Sequence, residues 1–150
     1  MPTRRSEITM TDAELMRFLD EERVLTCASL GPNGRPHLMP LWYVRDGLAL
    51  LTWTYGKSQK VKNLEREPRA TLQIEAGRDH YGELRGAMLE CDVEIIRDTA
   101  TVATIGARIA GVPAGEIPDH VREQAPKRVG LVFRPTRVAS FDHRKLGSGS

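Results

Sequence analysis

Residues Thr52–Leu64, TWTYGKSQKVKNL, combine a strand, a turn and the start of a helix. The hydroxyl and aromatic side chains of the first positions favour a β-strand, and Gly56 permits a turn. The pattern predicts a strand over Leu48–Thr54 and a helix over Ser58–Glu67, which ends before Pro68. A strand that leads directly into a helix leaves the N–H groups of the first helical turn beside the strand end.

Two lysines without a local acidic partner lie at the predicted start of this helix. Lys57 and Lys60 both fall in its first turn, Asn63 shares their face, and no Asp or Glu lies four residues from either lysine. Cations are unfavourable there, because the free N–H groups carry partial positive charge. A phosphate would relieve this by meeting the N–H groups, the Ser58 hydroxyl and both ammonium groups. The alternative is a solvated basic face.

Other motifs that carry chemistry are missing from the sequence. Gly56-Lys57-Ser58 matches the end of a P-loop, but Leu51 stands where that motif requires its first glycine. The sequence contains no GxGxxG, HExxH, GxSxG or CxxC, and its four histidines are widely separated. These absences disfavour an NTPase, a Rossmann fold and a serine hydrolase, and we predict no metal site.

The remaining chain predicts an α+β fold made mainly of antiparallel strands. A capping box at Thr11 and Glu14 predicts a helix over Asp12–Glu22, and Asp98 caps another helix that Gly111 ends. Further strands are predicted over Arg23–Leu30, His37–Val44, Arg69–Ala76, Leu84–Ile96 and Arg128–Phe141, and a short helix within Pro113–Glu123. The first two of these strands and Leu48–Thr54 are expected to form a meander. The length of Leu84–Ile96 favours a curved strand in a closed or nearly closed barrel.

The segment His37–Tyr43 is the second feature that indicates a ligand. Pro40 cannot donate a ladder hydrogen bond, so we expect a bulge or an unpaired stretch around it. Trp42 and Trp53, on consecutive predicted strands, are candidates for an aromatic slot that holds a planar ligand. Ordinary core packing is the alternative for both rings.

Composition excludes several classes of protein. The chain has 150 residues, of which 40% are hydrophobic and 28% charged, and a net charge of +2. These values are ordinary for one soluble globular domain and far from those of a nucleic-acid binder. The sequence has no apolar run of membrane-spanning length, and residues 1–10 are too polar for a signal peptide. We therefore expect a cytoplasmic protein that binds neither membranes nor nucleic acid.

The order of these segments resembles a known family. The chain resembles the pyridoxamine-phosphate-oxidase-like split β-barrels, and within them the flavin/deazaflavin oxidoreductases that use coenzyme F420. The residues that carry the resemblance are Gly31–Pro36, His37–Trp42, Thr52–Thr54, Lys57–Lys60, Asn63-Leu64, Pro68-Arg69, Leu84–Gly86 and Glu90. The resemblance implies an antiparallel split barrel with short flanking helices, and a homodimer with cofactor sites at the subunit interface.

The resemblance also implies a role for each part of the site. The cofactor phosphate would bind Lys57, Ser58 and Lys60, with Asn63 beside them. The ring would lie along Met39, Pro40, Leu41 and Trp42, next to Thr52, Trp53 and Thr54. A reduced deazaflavin would then give a hydride to a small organic acceptor. No catalytic residue is predicted, although His37 and Tyr55 are proton-donor candidates by residue type.

Two further functions stay open at the level of sequence. One is an FMN-dependent oxidase or reductase, because FMN offers the same tricyclic ring and phosphate. The other is a non-catalytic protein that binds a flavin, deazaflavin or heme. The expected organisation is a flexible arm over residues 1–10, the barrel over 11–146, and a linker-like tail over 147–150.

Overall fold

The computed structural model describes residues 3–147, which fold around one curled antiparallel sheet. Within these residues the strands are β1 Val24–Leu30, β2 Pro36–Trp42, β3 Val44–Asp46, β4 Ala49–Tyr55, β5 Arg69–Ala76, β6 Arg85–Ile96 and β7 Arg128–Asp142. The helices are α1 Arg4–Ile8, α2 Asp12–Glu21, α3 Gln59–Arg66, α4 Thr99–Ala110, α5 Asp119–Gln124 and α6 Arg144–Gly147. No helix among them is both long and apolar enough to cross a membrane.

The sheet curls because its two end strands are neighbours in the chain. The strand order is β2-β1-β5-β6-β7-β4-β3, and only Tyr43 separates β2 from β3. One bent segment therefore supplies both ends of the sheet, which closes into a half-barrel around a core. The core contains Leu25, Leu72, Leu89, Leu131 and Phe133, each at most 1% exposed. The predicted antiparallel split barrel with short helices is confirmed.

Local patterns locate most elements correctly. The capping box forms at Thr11 and Glu14, and β5 has the predicted bounds Arg69–Ala76, with alternating burial along most of its length. The long β6 strand is confirmed, and it shifts register between Glu90 and Cys91. The shift lets β7 accommodate Pro135, which stands opposite Cys91 instead of interrupting the strand.

Two of the expectations from sequence are wrong in this structure. The predicted meander ends after its first hairpin, because β4 pairs with β7 and β3 and not with β2. Pro40 causes no bulge, since it stands opposite Thr26 in unbroken register on an edge strand, where a missing N–H is tolerated. The flexibility of the arm over residues 1–10 stays a prediction; its described part, from residue 3, contains α1, and both Ile8 and Met10 are buried.

Two predictions at the chain's end have different outcomes. The helix predicted within Pro113–Glu123 begins later, at Asp119. Gly147, the first residue of the predicted linker-like tail, ends α6, and residues 148–150 lie outside the described residues.

Candidate cofactor-binding site

A gap in the barrel wall begins beside Val44, the first residue of β3. β3 pairs with β4 from Asp46 opposite Ala49 to Val44 opposite Leu51, and the ladder stops there. If that register continued, Trp42 would stand opposite Trp53. Instead β2 pairs with β1, so one edge of β2 and the edge of β4 over Thr52–Tyr55 have no strand partner. We call the gap between these two open edges the split.

Tyr43 holds the bend that opens the split. Its side chain is 4% exposed, and its hydroxyl donates a hydrogen bond of 2.6 Å to the Leu19 carbonyl. Its N–H donates to the Arg23 carbonyl at 3.0 Å, so the bend is joined to α2 and to the start of β1. Burial raises the pKa of the Tyr43 hydroxyl above its ordinary value. Tyr43 therefore supports the site by position and stays protonated.

The start of α3 lies at the end of the open β4 edge. Gly56 makes the turn, and its N–H donates to the Lys127 carbonyl at 2.9 Å, which fixes the turn against the start of β7. Ser58 is the N-cap residue, but its side chain makes no capping hydrogen bond. The N–H groups of the first turn have no acceptor within the helix. This helix start can therefore receive an anion.

Lys60 is a buried cation next to this helix start. It is 7% exposed, and its Nζ donates a hydrogen bond of 2.9 Å to Thr54 Oγ1 on β4. Burial is the main cause that lowers the Lys60 pKa, and the nearby charge of Arg128 lowers it further. Within residues 3–147 no carboxylate forms an ion pair with Lys60. A buried ammonium with only a hydroxyl partner is typical of a functional site rather than of a stabilising contact.

Lys57 and Asn63 have surroundings that the sequence did not predict. Lys57 precedes the helix, which begins at Gln59, and its side chain is exposed. The two lysines therefore do not form one adjacent pair in the first turn. Asn63 is fully buried, donates to Ser29 Oγ at 3.1 Å and accepts from Gln59 Nε2 at 2.8 Å. Asn63 thus joins α3 to β1 through the chain's own groups.

Four buried polar side-chain atoms in residues 3–147 have no hydrogen-bond partner. They are His37 Nδ1, Thr52 Oγ1, Ser58 Oγ and Arg128 Nε. His37 and Thr52 belong to the two strands that border the split, Ser58 caps α3, and Arg128 lies over Trp53 of β4. Because an unpaired buried polar group costs roughly 1–3 kcal/mol, each of these atoms lacks a partner that the described residues could have supplied.

The predicted ring-binding residues of β2 divide between the two faces of the strand. Pro40 and Trp42 point outward, and Trp42 is 54% exposed, with the Arg23 guanidinium 4.5 Å from its ring centroid. By strand alternation Met39 and Leu41 lie on the inward face, where Leu41 packs against the core. Tyr55, at the far end of β4, is also half exposed. Apolar side chains thus lie on both faces of β2, along the strand whose open edge borders the split.

On β4, Thr52 and Thr54 point into the barrel and Trp53 points outward. The Arg128 guanidinium lies 4.6 Å from the Trp53 ring centroid, and α4 contacts the same ring at Gly106. The separate surroundings of Trp42 and Trp53 leave the aromatic slot a prediction. Arg128 is the residue that sequence reasoning missed, because it belongs to β7 and no local motif connects it with α3.

Two cavities of the described residues lie away from the split. One cavity of about 880 Å³ lies between α4 and the β3–β4 hairpin, and another of about 470 Å³ lies beside α1. Neither includes the open edges of β2 or β4. Among the described residues, no three His, Cys, Asp or Glu side chains come together as metal ligands would.

A comparison with protein families identifies the fold. The family described as pyridoxamine 5′-phosphate oxidase matches residues 11–142. The chain belongs to this family. A solved structure of a conserved hypothetical protein from Mycobacterium tuberculosis is similar to this chain. The two sequences are 35% identical, and the structures superpose with a TM-score of 0.85 over 97% of this chain and 93% of the mycobacterial chain.

Two less similar solved structures share the fold. A solved structure named F420 reductase is 24% identical, with a TM-score of 0.62 over 81% of this chain and 93% of its own. A FAD-binding protein from Mesorhizobium loti is 15% identical, with a TM-score of 0.66 over 88% of this chain and 94% of its own. A search of curated proteins found no match.

Proposed function

We propose that the chain is an F420-dependent oxidoreductase that binds the cofactor phosphate at the start of α3 and the deazaflavin ring along the split. Lys60 carries the proposal. It is a buried ammonium without a carboxylate partner, beside a helix start whose cap hydroxyl is also unpaired. A phosphate would neutralise the charge, receive the N–H groups of the first turn and pair with Ser58 Oγ.

The residues around the split fit such a cofactor. Thr52 Oγ1 and His37 Nδ1 are buried and unpaired, so polar atoms at the edge of a ring system would satisfy them. Met39, Leu41 and Trp42 offer apolar surface beside them, as planar ligands require. Lys57, exposed before the helix, adds a further positive charge close to the proposed phosphate.

The chain and the cofactor have separate tasks in this proposal. Bound reduced F420 supplies a hydride for an electron-poor small molecule, and the protein supplies binding and orientation. α3 holds the negative end, the Tyr43 bend keeps the split open, and β2 and β4 border the ring. These contacts would fix the ring against an acceptor and exclude water from it.

The choice of F420 rests on resemblance to that branch and is supported by the solved F420 reductase that shares the fold. FMN carries a similar ring and a phosphate, so the same cradle would accept it. An FMN-dependent oxidase or reductase is therefore the second candidate. The buried lysine and the orphaned hydroxyls support both cofactors equally.

We also propose a homodimer whose interface covers the outer face of β1 and β2. That face exposes Val24, Leu30, Leu38 and Trp42 by 44–61% of their surfaces. Exposed apolar side chains in such a cluster mark a contact surface. A second copy is the proposed occupant because β2 forms both this face and one edge of the split. Docking there would cover the apolar face and close the cofactor site together.

Equilibrium titration tests the proposed function. The purified protein is titrated with F420 and with FMN, and binding is followed by absorbance and fluorescence. We expect micromolar or tighter binding of F420, and weaker binding by Lys60→Met, with Lys62→Met on the exposed side of the same helix as the matched control. Tighter binding of FMN would favour the second candidate. Failure to bind either cofactor would overturn the proposal.

Turnover is measured separately. Reduced F420 is mixed with the protein and a panel of quinones, nitroaromatics and activated alkenes, and its reoxidation is followed by fluorescence. We expect at least one acceptor to be reduced at a rate that depends on the protein. Binding of F420 without turnover across the panel would instead indicate a carrier or storage protein.

A further inference from the structure

A third positive charge, that of Arg128, lies close to the start of α3 on a different strand. Arg128 begins β7, and its backbone stands opposite Tyr55, the last residue of β4. The residue before it, Lys127, accepts the hydrogen bond from Gly56 that fixes the turn into α3. Arg128 is therefore part of the wall against which this turn is built, although about 70 residues of sequence separate the two.

The side chain of Arg128 reaches across β4 and is held there by Trp53. Its guanidinium lies 4.6 Å from the Trp53 ring centroid. Stacking on an indole orients the planar guanidinium and leaves its N–H donors free at the edges. α4 supports the ring from Gly106, where a Cβ would come within 2.7 Å of Trp53. The absence of a side chain at Gly106 thus lets the ring occupy its position under the arginine.

Arg128 has no anionic partner among residues 3–147, and its Nε is buried without an acceptor. Two exposed arginines of β7, by contrast, have carboxylate partners. Arg134 donates to Glu94 at 2.7 Å, and Arg137 donates to Glu90 at 3.3 Å. Arg128 is half-buried, and nearby Lys60 is a buried ammonium whose hydrogen-bond partner is a neutral hydroxyl. Neither cation forms an ion pair among the described residues, so both charges are left to be neutralised from outside the chain.

We propose that Arg128, stacked on Trp53, is a binding residue for the cofactor phosphate, and that it acts together with Lys60. The inference rests on the proposed function and adds to it a binding residue and a preference for ligands that carry a phosphate. Trp53 is then a positioning residue, which acts through Arg128. Because a guanidinium can form two parallel hydrogen bonds to a phosphate, Arg128 makes binding depend on the phosphate rather than on the ring.

The test compares ligands that differ only in the phosphate-bearing tail. Dissociation constants are measured for FMN and for riboflavin, and for F420 and its phosphate-free deazaflavin chromophore. Arg128→Gln should weaken FMN and F420 binding by about tenfold or more, as expected for a lost charge-assisted bond, and should leave the phosphate-free ligands within about twofold. Arg134→Gln, which removes the same charge from the same strand, should leave the dissociation constants of both the phosphate-bearing and the phosphate-free ligands unchanged.

Variants at position 53 distinguish a positioning role of Trp53 from a general loss of stability. Trp53→Leu removes the ring under Arg128 and should selectively weaken the phosphate-bearing ligands, whereas Trp53→Phe should recover part of that affinity. Thermal unfolding of each variant checks that it folds. An Arg128→Gln protein that binds FMN and F420 as tightly as the wild type would overturn the inference alone. Wild-type protein that binds none of the four ligands would overturn the proposed function and the inference with it.

Discussion

Lys60 donates its hydrogen bond to Thr54 from inside the barrel wall, across 2.9 Å, and the pair joins α3 to the open edge of β4. Neither group brings a negative charge to the other. Thr54 therefore gives the Lys60 ammonium a hydrogen-bond acceptor, but the positive charge has no negative partner. A fold selected only for stability would place an apolar side chain there, so the pair is best explained by what it binds.

Replacing Lys60 by Met should separate stability from binding. The long apolar side chain fills a similar volume and removes a buried charge, so the free energy of unfolding without cofactor should stay the same or rise by up to about 2 kcal/mol. Cofactor affinity should fall by about tenfold or more. Urea denaturation and titration measure the two effects, with Lys62→Met as the control. A loss of stability above about 1 kcal/mol would contradict this interpretation of Lys60.

The lowered pKa of Lys60 predicts a pH dependence of stability. The folded protein releases the Lys60 proton at a lower pH than the unfolded chain, in which the lysine pKa has its ordinary value of 10.5. Between those two pKa values the unfolded state binds more protons, so the contribution of Lys60 to the free energy of unfolding rises with pH. Below the folded pKa the penalty of the buried charge is fully present. The stability difference between Lys60→Met and wild type should therefore shrink as pH rises from 7 to 10, and a constant difference would refute the prediction.

Thr52 and Thr54 face the same interior but should respond differently to replacement by valine. Thr52 Oγ1 has no partner, so Thr52→Val should leave the cofactor-free protein equally stable or slightly more stable. Thr54 Oγ1 accepts from Lys60, so Thr54→Val should cost about 1–3 kcal/mol by leaving the ammonium unpaired. Thermal and urea unfolding of the two isosteric variants make the comparison. Equal losses would mean that Thr52 has a partner of its own.

Local patterns predicted the elements that form the site but not their meeting. The strand, Gly56 and the helix up to Arg66 follow from residues that are adjacent in sequence, although the helix begins at Gln59 and Ser58 is its N-cap. The difference between a buried Lys60 and an exposed Lys57 depends on where the helix begins, at Gln59, and on which side of α3 meets the barrel. The charge pattern cannot predict which lysine is buried, because both lysines fall within the same predicted helical turn.

Strand pairing was the harder part of the fold. The hairpin of β1 and β2 was predictable from its turn, whereas the pairing of β4 with β7 joins segments about 80 residues apart. Such contacts depend on the whole sheet and not on local preference. The split arises where the β3–β4 ladder stops and β2 joins β1, so that one edge of β2 and one edge of β4 have no strand partner. The pairing of β4 with β7 brings Arg128 to the candidate site.

The proposed dimer face can be tested at one position on β2. Leu38 is 61% exposed on the outer face, so Leu38→Glu should leave the monomer folded but place a charge in the interface. We expect sedimentation to show a dimer for wild type and a monomer for the variant, with weaker cofactor binding because the split loses its cover. Leu48→Glu, at a leucine that is 71% exposed in the β3–β4 turn, is the matched control. A monomeric wild-type protein would contradict the shared site.

Gly106 offers a test of the support behind Trp53. Alanine is the better helix former by about 1 kcal/mol, so helix propensity alone predicts that Gly106→Ala stabilises α4. The new Cβ would, however, come within 2.7 Å of the Trp53 ring, and overpacking of this kind costs about 1–3 kcal/mol. We expect a lower melting temperature and a changed indole fluorescence, measured in a Trp42→Phe background so that Trp53 alone reports. Gly82→Ala, where a Cβ meets open space, should have little effect. If Gly106→Ala instead raised the melting temperature and left the fluorescence unchanged, Trp53 would have room to move, and its hold on Arg128 would be looser than the packing against α4 indicates.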